Sequence, residues 1–517
     1  MLDPNQMQFE HEADVVVVGA GGAGLPAAIS ARDHGASVLV VEANHDVGGH
    51  AILSGGRIPL GGGTSLQKQH GIEDSPDQVY LDHTQASAPV FRIAERDLVR
   101  VWADENAPTM EFLLENGVIF DPDLEPEVVN FGTVPRLFRS VVHSDSLADT
   151  IAGRPGSGYA RKMEASARKK GVTFLLKHRM TRILREQQFS GRVFGIVAQH
   201  EGSEVHIRAR KGLIIATGGH TSNVAFRTRL DPRLTEEYQT AGEPWTPQDA
   251  SGEIAGLDVG AAFQLSGTLA AGPGPVVSKT LHIGCRWGYR NVQWVQESPM
   301  FCYAGGCGLT VKNWEDLILV NQVGRRFWNE LEDTPNFINA ALSNNGNLGK
   351  NGRGANGGGP IWAIFDSAAV ERERWNPHPP DVDPNGWFFT ADSIAGLAER
   401  IRNPYQYEPI QPEALEETVT RWNSFVDAGS DPDFKRPEPK FKIDRPPFYA
   451  AWSTPILHDS VSGLKINTKA QVVDTRGEVI PGLYCAGESA GGFALHGLPR
   501  VIVFGRIAGR EAALSTP

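Results

Sequence analysis

Residues 14–42 read Asp14-Val-Val-Val-Val-Gly19-Ala-Gly21-Gly-Ala-Gly24-Leu-Pro-Ala-Ala-Ile-Ser-Ala-Arg-Asp-His-Gly35-Ala-Ser-Val-Leu-Val-Val-Glu42. Val15 to Val18 form a short apolar, β-branched run, as a strand buried on both faces requires. Gly19, Gly21 and Gly24 then set out G-x-G-x-x-G. In that pattern the first glycine permits the tight turn. The second lets a pyrophosphate approach the backbone, and the third lets the helix close on the strand. The following helix directs unpaired N–H groups and the positive end of its dipole at that phosphate. Pro26 falls in the first helical turn, where its missing N–H costs little. Gly35 ends the helix, and Ser37 to Val41 make the second parallel strand. Glu42 closes it, placed to accept hydrogen bonds from ribose hydroxyls. A lone G-x-G-x-x-G is weak evidence. Strand, turn, helix, strand and acid in register predict a dinucleotide-binding β-α-β unit. The acid at 42 argues against a 2′-phosphate there, which it would repel.

A chain of 517 residues is long enough for two or three domains with a large core. Its 40% hydrophobic and 21% charged content fits a soluble globular protein. A net charge of −12 disfavours non-specific binding to nucleic acid or anionic membranes. No apolar run reaches the length of a membrane span. The first twelve residues lack the basic and apolar regions of a signal peptide, so a cytoplasmic location is expected. Four cysteines do not make a disulfide scaffold. Cys302 and Cys307, separated by Tyr-Ala-Gly-Gly, read as ordinary thiols, with a metal pair or redox disulfide as the alternative. No metal site is expected.

After the β-α-β unit, Asp46-Val-Gly-Gly-His50 leads into Ser54-Gly-Gly-Arg-Ile-Pro-Leu-Gly-Gly-Gly-Thr64. Such a backbone-rich loop suits a chain pressed against a flat cofactor. Helical patterning runs from about Pro76 to Asn116. Lys169 to Leu176, Met180 to Ala198 and His206 to Ala216 read as strands, the last ending in Thr217-Gly-Gly-His220. The glycine and asparagine loop 344–359 and the proline-rich stretch Pro377–Gly386 read as linkers or, better, as surface segments of an inserted domain. Gly463 to Asp474 alternates like a hairpin. Ile480 to Glu488 is a strand ending at glycine, and Val501 to Ala513 is a final helix.

These pieces together resemble the superfamily of FAD-dependent fumarate reductases, succinate dehydrogenases and 3-ketosteroid dehydrogenases. The likeness is carried by Val15–Glu42, Gly48–Thr64, Lys211–Gly219, Thr246–Ala261, Gly324–Glu330, Arg421–Asp433 and Gly463–Ala513. Gly482-Leu-Tyr-Cys-Ala-Gly-Glu488 and Val503-Phe-Gly-Arg-Ile-Ala-Gly509 narrow it most. The resemblance implies an α/β fold: a discontinuous, Rossmann-like FAD-binding domain with an inserted α+β capping domain. Residues 1–285 would form the first part of the FAD domain, 286–459 the cap and 460–517 the C-terminal return. FAD, held non-covalently, would contact Gly19, Gly21, Gly22, Ala23, Gly24, Glu42 and Ala43. Gly49, His50, Ser54, Gly55 and Gly56 would line it next, with Thr217, Gly218 and Asp249. Gly487, Glu488, Arg500, Ile502 and Val503 would complete the site. His50 lies one residue from the position where membrane succinate dehydrogenases attach FAD covalently.

Departures from the fumarate reductases are specific. After Gly324-Arg-Arg-Phe-Trp-Asn-Glu330 the family spacing reaches Thr334 where those enzymes carry a proton-donating arginine. Their proton relay maps to Thr310 and Asn313. The residues holding the far carboxylate map to Asp459, beside His458, and to Arg500. The resemblance therefore points away from fumarate and towards the ketone-dehydrogenating branch, where tyrosines polarise a ketone or take a proton. Tyr289 and Tyr303, among Trp287, Trp294, Met300 and Phe301, suit an apolar pocket with a few polar groups. Core aromatics with satisfied hydroxyls are the competing reading. His458, His496 and Arg500 are the other catalytic candidates. Arg506 is expected to serve helix packing.

The expected function is FAD-dependent oxidation or reduction of a CH–CH bond next to a carbonyl, with hydride transfer to or from flavin N5. The substrate would be a small carbonyl compound such as a cyclic ketone or ketosteroid-like molecule. With one dinucleotide fingerprint in the chain, the electron donor or acceptor would be a diffusible carrier or another protein. A carboxylate reductase, an O₂-using flavin oxidase or hydroxylase, and a non-enzymatic FAD-fold binding module are the alternatives.

Overall fold

In the computed structural model of the chain, residues 6–85, 94–128, 132–144, 153–232, 234–243, 245–266, 275–279, 281–286, 306–332, 359–406, 409–493 and 497–516 are described. The chain divides into two compact units. The first comprises residues 1–223, 248–275 and 459–517, and the second 224–247 and 276–458. Residues 224–247, which the sequence reading places ahead of the cap, group with the second unit.

The first unit opens on β1 (His11–Val18), α1 (Gly24–Asp33) and β2 (Val38–Val41). Val15 pairs with Val38 and Val18 with Val41 in parallel register. All four valines of 15–18 are buried, which explains a run with no polar alternation. Next come α2 (Gly49–Ile52), α3 (Pro76–Gln85), α4 (Arg96–Glu115) and α5 (Gly156–Lys169). The stretch read as a strand from Lys169 therefore begins inside a helix. Tyr159, Met163 and Ala167 form a buried stripe at four-residue spacing, and only Thr173–Leu175 is strand, β3. β4 (Arg179–Gln187) and β5 (Ser190–His200) make a hairpin, and β5 continues antiparallel into β6 (Ser203–Ile215). Helix α6 covers Ser251–Asp258.

The second unit is built on an antiparallel sheet. Its strands are β7 (Ile318–Val320), β8 (Trp362–Asp366), β9 (Phe388–Ala391) and β10 (Phe448–Trp452), in the order β7-β8-β10-β9. Helices α7 (Ile394–Arg400) and α8 (Pro412–Ala428) pack with it through Leu397, Leu415, Val419 and Trp422. Residues Trp362–Asp366 lie between the glycine and asparagine loop 344–359 and the proline-rich stretch Pro377–Gly386. All five are buried, and Trp362 sits opposite Trp452. The surrounding glycine and proline hid a five-residue apolar strand.

The chain then returns to the first unit through β11 (Gln471–Val473), β12 (Val479–Cys485) and α9 (Leu498–Leu514). β12 pairs in parallel with β6, Leu483 opposite Leu213. The sheet order is β11-β12-β6-β1-β2-β3, with the β4–β5 hairpin joined to β6. A Cβ on Gly505 or Gly509 would come within 2.3 Å of an α1 carbonyl, so α9 and α1 pack backbone to backbone. Arg506 ion-pairs with Glu105 of α4 and lies over Phe112, the packing role expected of it.

Candidate active site

The three fingerprint glycines do three different jobs. Gly19 has φ of +102°, and a Cβ there would sit 2.3 Å from the Ala216 carbonyl oxygen. A Cβ on Gly24 would sit 1.8 Å from the Gly19 oxygen, so the turn and helix close only without one. Gly21 is different. A Cβ on it would meet nothing nearer than 3.9 Å. The protein's own packing does not demand glycine at 21, whereas a ligand laid on the backbone does. Helix α1 begins here with no side-chain cap at Ala23, leaving its N-terminal dipole to an anion. A Cβ on Gly55 also faces open space, with only Arg57 Cγ at 4.0 Å.

Glu42 stands at the end of β2 with its carboxylate turned to the fingerprint. Its oxygens accept the Ala20 N–H at 2.6 Å and the Asn44 N–H at 2.8 Å. Burial raises its pKa above the ordinary carboxylate value, against those N–H bonds. Ala43 is exposed beside it. Gly48 donates to the Ala20 carbonyl at 2.8 Å and starts α2, which carries Gly49 and His50. His50 Nδ1 lies 3.0 Å from Gln248 Nε2. Ser54 Oγ accepts the Gly56 N–H at 3.2 Å. Gly22 packs near Val501 and Ala51.

The C-terminal segment closes on the same turn. Gly487, with φ of +80°, faces Ala23. Ser489 Oγ donates to the Gly218 carbonyl at 2.6 Å and lies 3.1 Å from Thr217 Oγ1. Glu488 accepts the Ser460 N–H at 3.2 Å. Arg500, 3% exposed, donates to the carbonyls of Ser460, Gly487 and Ala490. Its guanidinium thus holds three backbone oxygens of the return segment. Ile502 and Val503 are fully buried in the core. Asp249 pairs with Arg179 and accepts the Ser251 N–H at 3.0 Å at the start of α6.

Tyr289, Tyr303, His496 and Thr334 lie outside the described residues. His458 is half-buried on the strand Ile456–Ser460, next to the buried Asp459. Thr310 and Asn313 have structural work within the second unit. Thr310 gives its carbonyl to the Trp375 indole at 2.8 Å. Asn313 caps the turn Trp314–Asp316 and donates its N–H to Glu373 at 2.8 Å. Burial, helped by Asp381, pushes the Cys307 thiol up to about 11, which keeps it an ordinary thiol. Among the described residues no group of three or more His, Cys, Asp or Glu is placed to hold a metal ion.

A model of the FAD binding domain matches residues 14–498. The chain belongs to the FAD binding domain family. It is 30% identical to a cytochrome-type fumarate reductase of Shewanella frigidimarina, covering 97% of this chain and 77% of that protein. A urocanate reductase of Eggerthella lenta is 29% identical over 97% of this chain and 75% of its own length. The acrylate reductase flavoprotein subunit of Shewanella woodyi is 28% identical, with coverage of 96% and 89%. Among solved structures, an open flavocytochrome c3 fumarate reductase matches with a TM-score of 0.69, 22% identity and coverage of 98% and 78%. A 3-ketosteroid Δ1-dehydrogenase of Sterolibacterium denitrificans matches with 0.68, 20%, and coverage of 98% and 100%. The cofactor of this family member is FAD, and the protein is an FAD-dependent oxidoreductase of the CH–CH group. The residues fit FAD: an open face at Gly21, an uncapped helix N-terminus and an acid at the end of β2. The sequence reading missed Ser489, Ser460 and Gln248. Gln248 and Ser489 lie in segments that carry the family likeness, but the contacts of all three are set by the meeting of distant segments.

Proposed function

We propose that this enzyme reduces a carbon–carbon double bond conjugated to a carbonyl group, or forms that bond in the reverse direction. The observation that carries the reading is alignment over nearly the whole chain with reductases named for fumarate, urocanate and acrylate. Each of those compounds is an alkene conjugated to a carboxylate. Fumarate itself fits poorly, because Thr310 and Asn313, whose side chains do not ionise, stand where the proton relay of its reductases maps. A ketone or a monocarboxylate remains as the activating group.

FAD, when bound, supplies the hydride-exchanging centre. The protein's part is to position and to move protons. Gly19 to Gly24 and Glu42 hold the cofactor's phosphate and ribose. Arg500 and Ser489 fix the return segment Gly487–Ala490 against Gly218. Tyr303 or Tyr289 is the side chain suited to exchange the proton at the substrate carbon. Electrons come from or go to a diffusible carrier or a second protein. FAD is held without a covalent bond, so acid precipitation should leave the yellow colour in the supernatant.

Product analysis in D₂O tests the reading. Reductively poised enzyme should place one solvent deuterium on the carbon next to the carbonyl of an accepted enone or enoate. Incorporation of labelled oxygen from O₂ would instead assign a hydroxylase. Tyr303→Phe should lower turnover by ~10²-fold. Full turnover in that variant would remove Tyr303 from the chemistry.

A further inference from the structure

Below the Thr217–Gly218 turn the first unit buries an acid–base pair that no step above uses. Glu253 lies in the first turn of α6, and His220 follows Thr217-Gly218-Gly219. Both side chains are wholly buried, with His220 Nδ1 2.7 Å from Glu253 Oε1. Glu253 Oε2 is buried and has no hydrogen-bond partner among the described residues.

The backbones around the pair are packed to contact. A Cβ on Gly252 would come 2.3 Å from Thr217 Oγ1, and one on Gly219 would come 2.2 Å from Ser460 Oγ. Ser460 Oγ accepts the His220 N–H at 3.0 Å, and the Gly219 carbonyl accepts the Ala250 N–H at 3.1 Å. From the other side Ser489 holds the Gly218 carbonyl. The turn 217–220 is therefore gripped from three separate stretches of chain, and the Glu253–His220 bond is the side-chain grip from α6.

A buried pair of this kind returns little net stability, because desolvating the charge offsets the attraction. What it supplies is direction. A carboxylate fixes which imidazole nitrogen carries the proton and how the ring is turned. We propose that Glu253 is a positioning residue that, through His220, sets the Thr217–Gly218 edge of the FAD cradle and thereby the affinity for FAD. The proposal rests on the assignment of Thr217 and Gly218 to the cofactor. The other groups facing the pair are Asp249 ahead of α6, Cys485 at the end of β12, Arg500 of α9, and the Phe263 ring, 6.2 Å from His220. Burial raises the Glu253 carboxyl, with His220 and Arg500 opposing.

The test is FAD affinity, read from quenching of FAD fluorescence on reconstitution of apoprotein, together with the apoprotein melting temperature. Glu253→Ala and His220→Ala should each weaken FAD by about 10-fold or more, and the double variant should be no weaker than either single. Glu253→Gln, whose amide oxygen still accepts the imidazole N–H, should stay within about threefold of wild type. Should the alanine variants fail to fold, the apolar pair Glu253→Leu/His220→Phe keeps the volume and should fold with the same loss of FAD affinity. Wild-type FAD affinity in the folded variants, or losses that simply add, would overturn the proposal. Thr217→Val separates the two layers. If it weakens FAD while Glu253→Ala does not, the positioning role alone fails. If neither does, the cofactor assignment of that edge fails as well.

Discussion

At the scale of single residues, Gly21 and Glu42 carry most of the cofactor argument. Gly21→Val adds a Cβ and two methyl groups where the nearest protein atom to a Cβ is 3.9 Å away. The variant should fold, melt as apoprotein close to wild type, and bind FAD ~10²-fold more weakly, about 2.7 kcal/mol. Purified protein that stays yellow at wild-type occupancy would show that the fingerprint does not face the pyrophosphate. Glu42→Ala should weaken FAD by ~10-fold, the weight of one or two hydrogen bonds to a charged acceptor. Unchanged affinity, measured by equilibrium titration, would remove Glu42 from the ribose. Both residues were legible from sequence because each belongs to a short local pattern. Arg500 was legible only in part. Its place near the return segment followed from the family motif, but its attachment to the carbonyls of Ser460, Gly487 and Ala490 depends on a turn brought in from elsewhere in the chain.

At the scale of elements, the motif Gly324–Glu330 holds the second unit together through buried ion pairs. Glu330 is fully buried and accepts hydrogen bonds from Arg326 at 2.8 Å and from Arg436 at 3.0 Å. Arg326 also reaches Asp431 at 3.0 Å. Burial pushes the Glu330 carboxyl up, and the two guanidiniums outweigh it, so its pKa lies below 4.5. A depressed carboxyl stabilises the fold at pH above its unfolded value, and that contribution is lost as pH falls towards the folded value. Glu330→Gln should therefore cost ~3 kcal/mol at pH 7. On acidification from pH 5 to pH 4 it should lose less than wild type. Thermal midpoints at the two pH values check this, and parallel losses in both proteins would contradict it. The same scale explains one element left unassigned and one misread. Trp362–Asp366 is a strand buried among aromatics of its own sheet, and neither flank carries a period that a window could detect. The boundary at Lys169 failed because a helix gives way to a strand across Lys170–Val172, where apolar spacing is ambiguous.

At the scale of the whole molecule, the discontinuity of the first unit was legible because the glycine fingerprint and the return-segment motif stand at opposite ends of the chain. β12 joins β6 and α9 packs on α1, so the return segment completes a sheet begun at β1. The substrate was not legible to the same degree. The residues proposed to choose it, Tyr289 and Tyr303 among them, belong to no motif whose chemistry is fixed by spacing. The alignment with reductases of conjugated carboxylates supports the proposed reaction, and Thr310 and Asn313, at the positions of the fumarate reductases' proton relay, turn the proposal from fumarate to another conjugated alkene. The most direct measurement is anaerobic. The enzyme is photoreduced until the 450 nm flavin band is bleached, and then mixed with a panel of enones, cyclic ketones, enoates and fumarate. The account predicts that at least one conjugated alkene other than fumarate restores the 450 nm band stoichiometrically within the mixing experiment. Restoration by O₂ alone, with stoichiometric H₂O₂ and no response to any conjugated alkene, would contradict it.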